Sequence, residues 1–294
     1  MDNFSLRQLR YFTALAQHGH FGRAAEACAI SQPALSVQIR ELESAVGQVL
    51  FERGARQVRL TRFGEEFASR VRDILRSVDE LSEMARVART GLSGSLRLGV
   101  IPTIAPYLLP RVIGRLTKAY PDLDLHVRES ITPRLLAELS DGRLDAAIVA
   151  LPVSEPSLTE VPLFDESLLL VRPEVERDDP VPRPEDLQKM RLLLLEEGHC
   201  FRDQALSFCH LAQAREREGL DGSSLSTLVQ MVGAGLGVTL IPEMAVPVET
   251  RSANVSLARF DDPQPGRTVG MVWRKSSPLS EDLMAMSEVV GAAA

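Results

Sequence analysis

Residues 21–46 read Phe21-Gly22-Arg23-Ala24-Ala25-Glu26-Ala27-Cys28-Ala29-Ile30-Ser31-Gln32-Pro33-Ala34-Leu35-Ser36-Val37-Gln38-Ile39-Arg40-Glu41-Leu42-Glu43-Ser44-Ala45-Val46, and this stretch decides the fold of the N-terminal part. Phe21 to Ala29 is short and alanine-rich, a composition that lets helices approach closely. Ser31-Gln32-Pro33 is a helix start: the Ser31 hydroxyl can cap free backbone N–H groups, and proline is tolerated in a first turn. The helix then runs through Ala34, Leu35, Val37, Ile39 and Leu42 to about Val46, where Gly47 ends it. Upstream, Leu6, Leu9, Phe12, Leu15 and Ala16 recur at the helical period as far as His18. Two helices joined by a tight turn, the second opening on a cap, form a helix-turn-helix.

Outward from that core, Leu50–Arg53 and Val58–Thr61 are two short extended pieces around Gly54-Ala55-Arg56, the pattern of a wing. Thr61 then caps a helix predicted over Arg62–Thr90. Its apolar stripe of Phe67, Val71, Ile74, Leu75, Val78, Leu81, Met84, Ala85 and Ala88 reads as a dimerisation rod. Gly91-Leu92-Ser93-Gly94 is a hinge. Beyond it strands and helices alternate. Strands are predicted at Leu96–Ile101, Leu123–Arg128, Leu144–Leu151, Ser167–Val171, Arg191–Leu195, Gly237–Ile241 and Thr268–Trp273, with helices at Pro106–Tyr120 and Pro133–Leu139. That alternation specifies an open α/β sheet.

Composition bounds the function classes. The chain has 294 residues, 45% of them hydrophobic and 25% charged, as in an ordinary globular protein. No apolar run approaches the ~20 residues of a membrane span. The N-terminus lacks a basic flank followed by an apolar core, so a cytoplasmic location without membrane attachment is expected. The net charge is -7, yet residues 1–62 hold eight arginines against five acids, a surplus of +3 that leaves -10 for the remainder. A small DNA-facing head on an acidic body fits that split.

Three cysteines do not make a disulfide framework. Two of them stand nine residues apart in Gly198-His199-Cys200-Phe201-Arg202-Asp203-Gln204 and at Cys209. Read from the residues alone, the pair is a redox switch, two inert core thiols, or, with the His199-Cys200 and Cys209-His210 doublets, a metal site of unusual spacing. A helix is predicted from about Asp203, which places Cys200 just ahead of a helix N-terminus. There His199 and Arg202 add positive potential that favours the thiolate. Were the interval helical, its ends would lie roughly 13 Å apart, whereas a disulfide needs Cα atoms within about 7 Å. A bridge would therefore refold the segment. Cys28, in the alanine-rich helix, reads as a small core residue.

Taken together, Leu9-Arg10-Tyr11-Phe12, Ala24-Ala25, Ser31–Ser36, Ile39–Glu43, Leu50–Arg53 and Leu60–Gly64 resemble the LysR-type transcriptional regulators, over essentially the whole chain. Gly99–Thr103, Pro106–Pro110, Val161–Glu166 and the cysteine segment resemble a peroxide-sensing branch of that family. The resemblance implies a multidomain chain. A winged helix-turn-helix occupies residues 1–61 and a linker and dimerisation helix 62–91. A two-lobed α/β regulatory domain like the periplasmic binding proteins follows at 92–294, lobe I at about 92–163 and 268–294, lobe II at about 164–267. It also implies a non-enzymatic activator in which hydrogen peroxide oxidises Cys200 and Cys209 closes the disulfide. Thr103, Thr132 and His199 would line the peroxide pocket, and Arg202 and Asp203 would position the cysteine loop. No cofactor or metal is expected. The implied partners are double-stranded promoter DNA, RNA polymerase and further copies of the chain, as a dimer through the linker helix and a homotetramer.

In a helix-turn-helix the second helix presents its N-terminal residues to base edges, which nominates Ser31, Gln32, Pro33, Ser36, Gln38 and Arg40. Arg53, Arg56 and Arg59 suit phosphate contacts at the wing, whereas Glu41 and Glu43 read as surface or interface residues. Two alternatives stand beside the redox regulator. One is a regulator answering to a metabolite held between the lobes; the other is a thiol peroxidase, which would leave the helix-turn-helix unexplained.

Overall fold

The computed structural model describes residues 4–53, 58–90, 93–183, 186–208 and 221–293. The chain divides into two units, Met1–Ala85 and Arg86–Ala294.

In the first unit, helix α1 (Leu6–His18) opens on a capping box. The Ser5 hydroxyl accepts from the Gln8 N–H at 3.2 Å while the Gln8 side chain accepts from the Ser5 N–H at 2.9 Å. Helix α2 (Phe21–Ala27) follows. Helix α3 (Gln32–Val46) begins where Ser31 accepts from the Ala34 N–H and stops at Gly47, whose φ of 71° suits a residue without Cβ. The three bury Leu9, Phe12, Leu15, Ala24, Ala25, Leu35, Ile39 and Leu42 against one another. Val37, within the helix read from sequence, is 41% exposed. It lies about 200° around the helix from Leu35, on the opposite face.

Strands β1 (Phe51–Arg53) and β2 (Val58–Leu60) pair antiparallel as the predicted wing. Glu43, read from sequence as a surface or interface residue, is half-buried and accepts the Leu50 N–H at 2.9 Å and the Phe51 N–H at 3.3 Å, pinning the entry to β1. Helix α4 (Arg62–Thr90) starts where the Thr61 hydroxyl accepts the Gly64 N–H. Along it Val71 is buried, while Ile74 and Leu81 are exposed.

In the second unit, β3 (Gly94–Val100) pairs in parallel with β4 (Leu123–Glu129) and with β5 (Ala146–Leu151). Helices α5 (Ala105–Ala119) and α6 (Thr132–Ser140) connect them. The segment read from sequence as a short strand at Ser167–Val171 belongs to a single 16-residue strand, β6 (Leu158–Pro173). Its first half escaped notice because Pro162 lacks an N–H. The register against β11 (Gly266–Arg274) shifts there, Phe164 facing Val269 and Pro162 facing Gly270. The bulge absorbs the missing donor.

Strand β11 also pairs antiparallel with β5. On its other edge β6 carries β9 (Thr239–Pro242) and β10 (Val255–Ala258). The strand predicted at Arg191–Leu195 shrinks to β7 (Leu194–Leu195), paired with β8 (Asp221–Gly222). Helices α7 (Cys200–Phe208), α8 (Leu225–Gly233), α9 (Val246–Glu249) and α10 (Ser280–Gly291) complete the unit. The sequence reading had not drawn the last three.

Two hydrophobic clusters organise this unit. One gathers β3, β5, α5, α6 and α10 with Val269–Trp273 of β11. The other gathers Leu168, Leu170 and Val171 of β6 with α7, α8 and β9. The long strand β6 runs through both. Among the described residues no helix is long and apolar enough to cross a membrane.

Gly64 offers a test of the packing between wing and helix. By propensity, Gly64→Ala in a helix is worth about 1 kcal/mol of stabilisation. A Cβ there would press into the Leu50 carbonyl oxygen, which is backbone and cannot swing away. The variant is expected to lose about 1–3 kcal/mol instead, read as a lower denaturation midpoint of the N-terminal unit.

Candidate functional site

The exposed face of α3 is built by the helical period. With Leu35, Ile39 and Leu42 buried, Pro33, Val37 and Arg40 turn outward and Ser36 is half-buried. Ser31 spends its hydroxyl on the cap. Gln32 is exposed at the first turn, while Gln38 donates to Glu41 at 2.7 Å. Arg40 donates through Nε to the Ser36 carbonyl at 3.2 Å. The structure thus offers Gln32, Pro33, Ser36 and Arg40 on an accessible surface and adds Val37, an apolar group suited to a thymine methyl. Its spacing from Leu35 was the signal that could have found it. Arg59 is exposed on β2; the Arg53 side chain and Arg56 lie outside the described residues.

At the second candidate site, Cys200 is the first residue of α7, three residues earlier than the helix start read from sequence. Gly198 makes the turn into it with a φ of 90°. The half-buried Cys200 packs against the first hydrophobic cluster, whereas the next residue, Phe201, is buried in the second. Thiol and helix therefore belong to different cores. Cys209 and His210 lie outside the described residues. Cys28 caps the C-terminal end of α2, half-buried and outside the core cluster, and burial raises its thiol pKa. That shift favours the less reactive protonated form.

A cavity of about 480 Å³ opens beside Cys200. Its walls are Thr132, Pro133, Leu136, Ala137 and Ser140 of α6, Glu155, Gly198, Cys200 and Asp203. Thr132 is the first residue of α6, so the N-terminal turns of two helices meet the cavity. The Thr132 hydroxyl oxygen is fully buried and has no hydrogen-bond partner among the described residues. A buried polar atom left so costs about 1–3 kcal/mol unless water or a ligand satisfies it.

Of the residues nominated from sequence, the structure brings Thr132, Cys200 and Asp203 to this cavity; Thr103, His199 and Arg202 are not among its walls. Arg202 donates to the Leu195 carbonyl at 2.8 Å, tying α7 to the strand before it. Burial lowers the His199 pKa, against a smaller opposing pull from Glu196. The imidazole is therefore neutral at neutral pH, contrary to the positive charge assigned to it from sequence. The N-terminal end of α7 remains as a source of positive potential beside Cys200.

Thr103 is buried and accepts from Arg267 at 2.8 Å, and its carbonyl accepts from the same guanidinium at 3.0 Å. Arg267 also meets Glu166 at 2.8 Å, with 0% and 5% of the two side chains exposed. The guanidinium carbon lies 5.5 Å from the centroid of the Phe201 ring, the residue next to Cys200. Sequence reasoning missed both Arg267 and Glu166. No local signal singled them out, since β6 also holds Glu160, Asp165 and Arg172 and β11 also holds Arg274. Among the described residues no group of three or more His, Cys, Asp or Glu could hold a metal ion.

Residues 6–65 match the family described as bacterial regulatory helix-turn-helix protein, lysR family, and residues 89–294 match the LysR substrate binding domain. The chain belongs to the LysR family. Within it, the chain is 43% identical to the DNA-binding transcriptional dual regulator OxyR of Escherichia coli strain K12, covering 98% of this chain and 95% of the relative. It is 47% identical to a probable hydrogen peroxide-inducible genes activator of Streptomyces viridosporus, over 92% and 88%.

Full-length Pseudomonas aeruginosa OxyR with a cysteine-to-aspartate substitution superposes with a TM-score of 0.77 at 37% identity, covering 98% and 95%. A hydrogen-peroxide-bound cysteine-to-serine variant of Corynebacterium glutamicum OxyR gives 0.66 at 36% identity, covering 99% and 92%. This LysR-family chain thus resembles OxyR from end to end.

Two tests follow from the geometry. Arg267→Met leaves Glu166 buried without its cation and should cost about 3–5 kcal/mol, most of it recovered in Arg267→Met/Glu166→Gln. A denaturation series on the four proteins measures this. The second test is pH dependence. With its folded pKa below the ordinary 6.5, His199 takes a proton more readily in the unfolded chain. Stability should therefore be level above that pH and fall as pH drops below it. In His199→Gln that part of the acid loss should vanish from the melting curves.

Proposed function

We infer that this LysR-family chain is a DNA-binding transcriptional regulator that senses hydrogen peroxide through Cys200 and Cys209. The observation that carries this reading is the seat of Cys200. It is the first residue of a helix, on the wall of a cavity that holds an unpartnered buried hydroxyl, and it packs on a different core from the rest of its helix. The similarity to proteins named hydrogen peroxide-inducible genes activators supports it.

The chemistry balances as follows. The Cys200 thiolate attacks one peroxide oxygen; the S–O bond forms, the O–O bond breaks, and the departing hydroxide takes a proton to leave as water. The Cys209 thiol then displaces the hydroxyl from the sulfenic acid, losing a second water and closing the disulfide. Thr132, at the cavity, would line the peroxide pocket with Thr103 and His199, and Arg202 and Asp203 would hold and flank the cysteine turn.

Closing the disulfide requires α7 to come apart. Cys200 and Phe208 are the ends of one nine-residue helix, about 12 Å apart along its axis. A bridge from Cys200 to the residue after Phe208 needs Cα atoms within about 7 Å. Unwinding would pull Phe201, Ala205, Leu206 and Phe208 out of the second cluster, including the edge-to-face contact of Phe208 with Phe260 at 5.0 Å. Fully burying such a side chain is worth about 1.5–3 kcal/mol, so oxidation exchanges packing for a covalent bond and changes the surface around α7.

In this reading residues 1–61 bind promoter DNA through Gln32, Pro33, Ser36, Val37, Gln38 and Arg40 of α3, set by Ser31. Arg53, Arg56 and Arg59 meet phosphates. Residues 62–91 dimerise through the exposed Ile74 and Leu81 face, and residues 92–294 carry the switch. A homotetramer working with RNA polymerase in the cytoplasm completes the proposal.

The test is thiol trapping with mass spectrometry before and after a stoichiometric hydrogen peroxide pulse, followed by footprinting on the chain's own promoter region. The expected result is an intramolecular Cys200–Cys209 disulfide, reversed by reductant and absent in Cys200→Ser, with a redox-dependent footprint. Gln32→Ala should weaken specific binding by about 1–3 kcal/mol without altering thiol oxidation. Both thiols remaining free after the pulse would refute the redox reading.

A further inference from the structure

The cavity beside Cys200 is far larger than hydrogen peroxide requires. It is an open cleft of about 480 Å³, in size within the range of about 300–1,000 Å³ typical of small-molecule pockets. One water takes roughly 30 Å³ of liquid, and a molecule of two oxygens only roughly twice that. Its composition is also uneven. Pro133, Leu136 and Ala137 make one wall of carbon along α6, while Ser140, Glu155, Cys200 and Asp203 bring polar groups to the lining.

Hydrogen peroxide has nothing to set against an apolar wall. A neutral alkyl or aralkyl hydroperoxide does, because its –OOH group can meet the polar end while its hydrocarbon covers Pro133, Leu136 and Ala137 and leaves water. Charge narrows the class further. The carboxylates of Glu155 and Asp203 line the same cavity and disfavour anionic oxidants.

We propose that Cys200 is also oxidised by neutral organic hydroperoxides, the hydrocarbon seated on the α6 wall and the peroxide group at the Cys200 thiolate. This rests on the reading of Cys200 as a peroxide-reactive thiol and names a second substrate class for it. The step is balanced. The thiolate takes the terminal oxygen, the S–O bond forms and the O–O bond breaks. The departing alkoxide picks up a proton from solvent, so Cys200 ends as the sulfenic acid and the hydroperoxide as the alcohol.

The full-length reduced protein would be mixed with hydrogen peroxide, tert-butyl hydroperoxide or cumene hydroperoxide. Cys200 oxidation would be timed by quenched thiol trapping, with each reagent's rate on free N-acetylcysteine as the baseline. Cumene hydroperoxide should oxidise Cys200 at least about tenfold above its baseline, and Ala137→Phe should lower the ratio of the cumene hydroperoxide rate to the hydrogen peroxide rate by about tenfold. Ala137 is exposed, and a melting curve checks that the variant is folded; if it is not, the wild-type rates alone decide.

Cumene and tert-butyl hydroperoxides reacting only at baseline while hydrogen peroxide reacts faster would overturn this proposal and leave the hydrogen peroxide reading intact. An unchanged ratio in a folded Ala137→Phe would overturn the assigned seat. Baseline rates with every reagent would overturn both readings. Acceleration by the organic hydroperoxides alone would uphold this one and remove hydrogen peroxide as the signal.

Discussion

Arg267 and Glu166 face each other across the ladder of β11 and β6, in register and almost fully buried, and the regulatory unit is arranged around that contact. Bringing both charges out of water is costly, and the cost is offset only because every strong partner is in place. Glu166 accepts from Arg267 and from the Met244 N–H, while Arg267 also holds the Thr103 hydroxyl and carbonyl. One guanidinium thereby fixes the loop after β3 against two long strands, and its flank lies against Phe201. The position of α7, and with it Cys200, depends on that loop and those strands staying where the pair puts them.

If oxidation closes a disulfide at Cys200, as proposed, the seat of α7 gives that small chemical event a large structural effect. Its first residue packs with one hydrophobic cluster and its next with the other. A helix in that position has two sets of packing partners and cannot satisfy a new covalent constraint at its N-terminus by a slight adjustment. Closely packed interiors respond to such a demand by switching arrangement rather than by bending. The unpartnered Thr132 hydroxyl adds a local cost that an occupant of the cavity relieves, so the resting site is predisposed to take a hydrogen-bonding guest.

The N-terminal unit works by a different economy. Its helices are defined by side-chain caps at Ser5, Ser31 and Thr61, and the Glu43 carboxylate holds the start of β1. Phe12 joins the parts, touching Phe51 of the wing and Phe67 of α4 with ring centroids 5.2 Å away in both cases. With the inner face so determined, the outer face of α3 is free to carry recognition, and exposed Val37 belongs to it.

Local rules were enough to read much of this from the amino-acid sequence. Caps, glycine stops and the 3.6-residue period located α1, α3 and α4, because those signals act within a turn or two. The spacing of Cys200 and Cys209 raised a redox switch beside inert thiols and a metal site, and the motif pattern stated the family. Distance along the chain hid the rest. The first half of β6 was illegible because Pro162 breaks the pattern of a strand and only the bulge opposite Gly270 repairs it. Arg267 and Glu166 lie 101 residues apart and find each other only through strand pairing. The cavity joins α6 to the turn before α7, so no local pattern could announce its walls or its free hydroxyl. The sequence by itself determined the family and the elements whose signals are local, among them α1, α3 and α4. Only the tertiary structure decided which charges are buried together, which core each end of α7 serves and what surrounds Cys200, because those depend on contacts between residues that only folding makes neighbours.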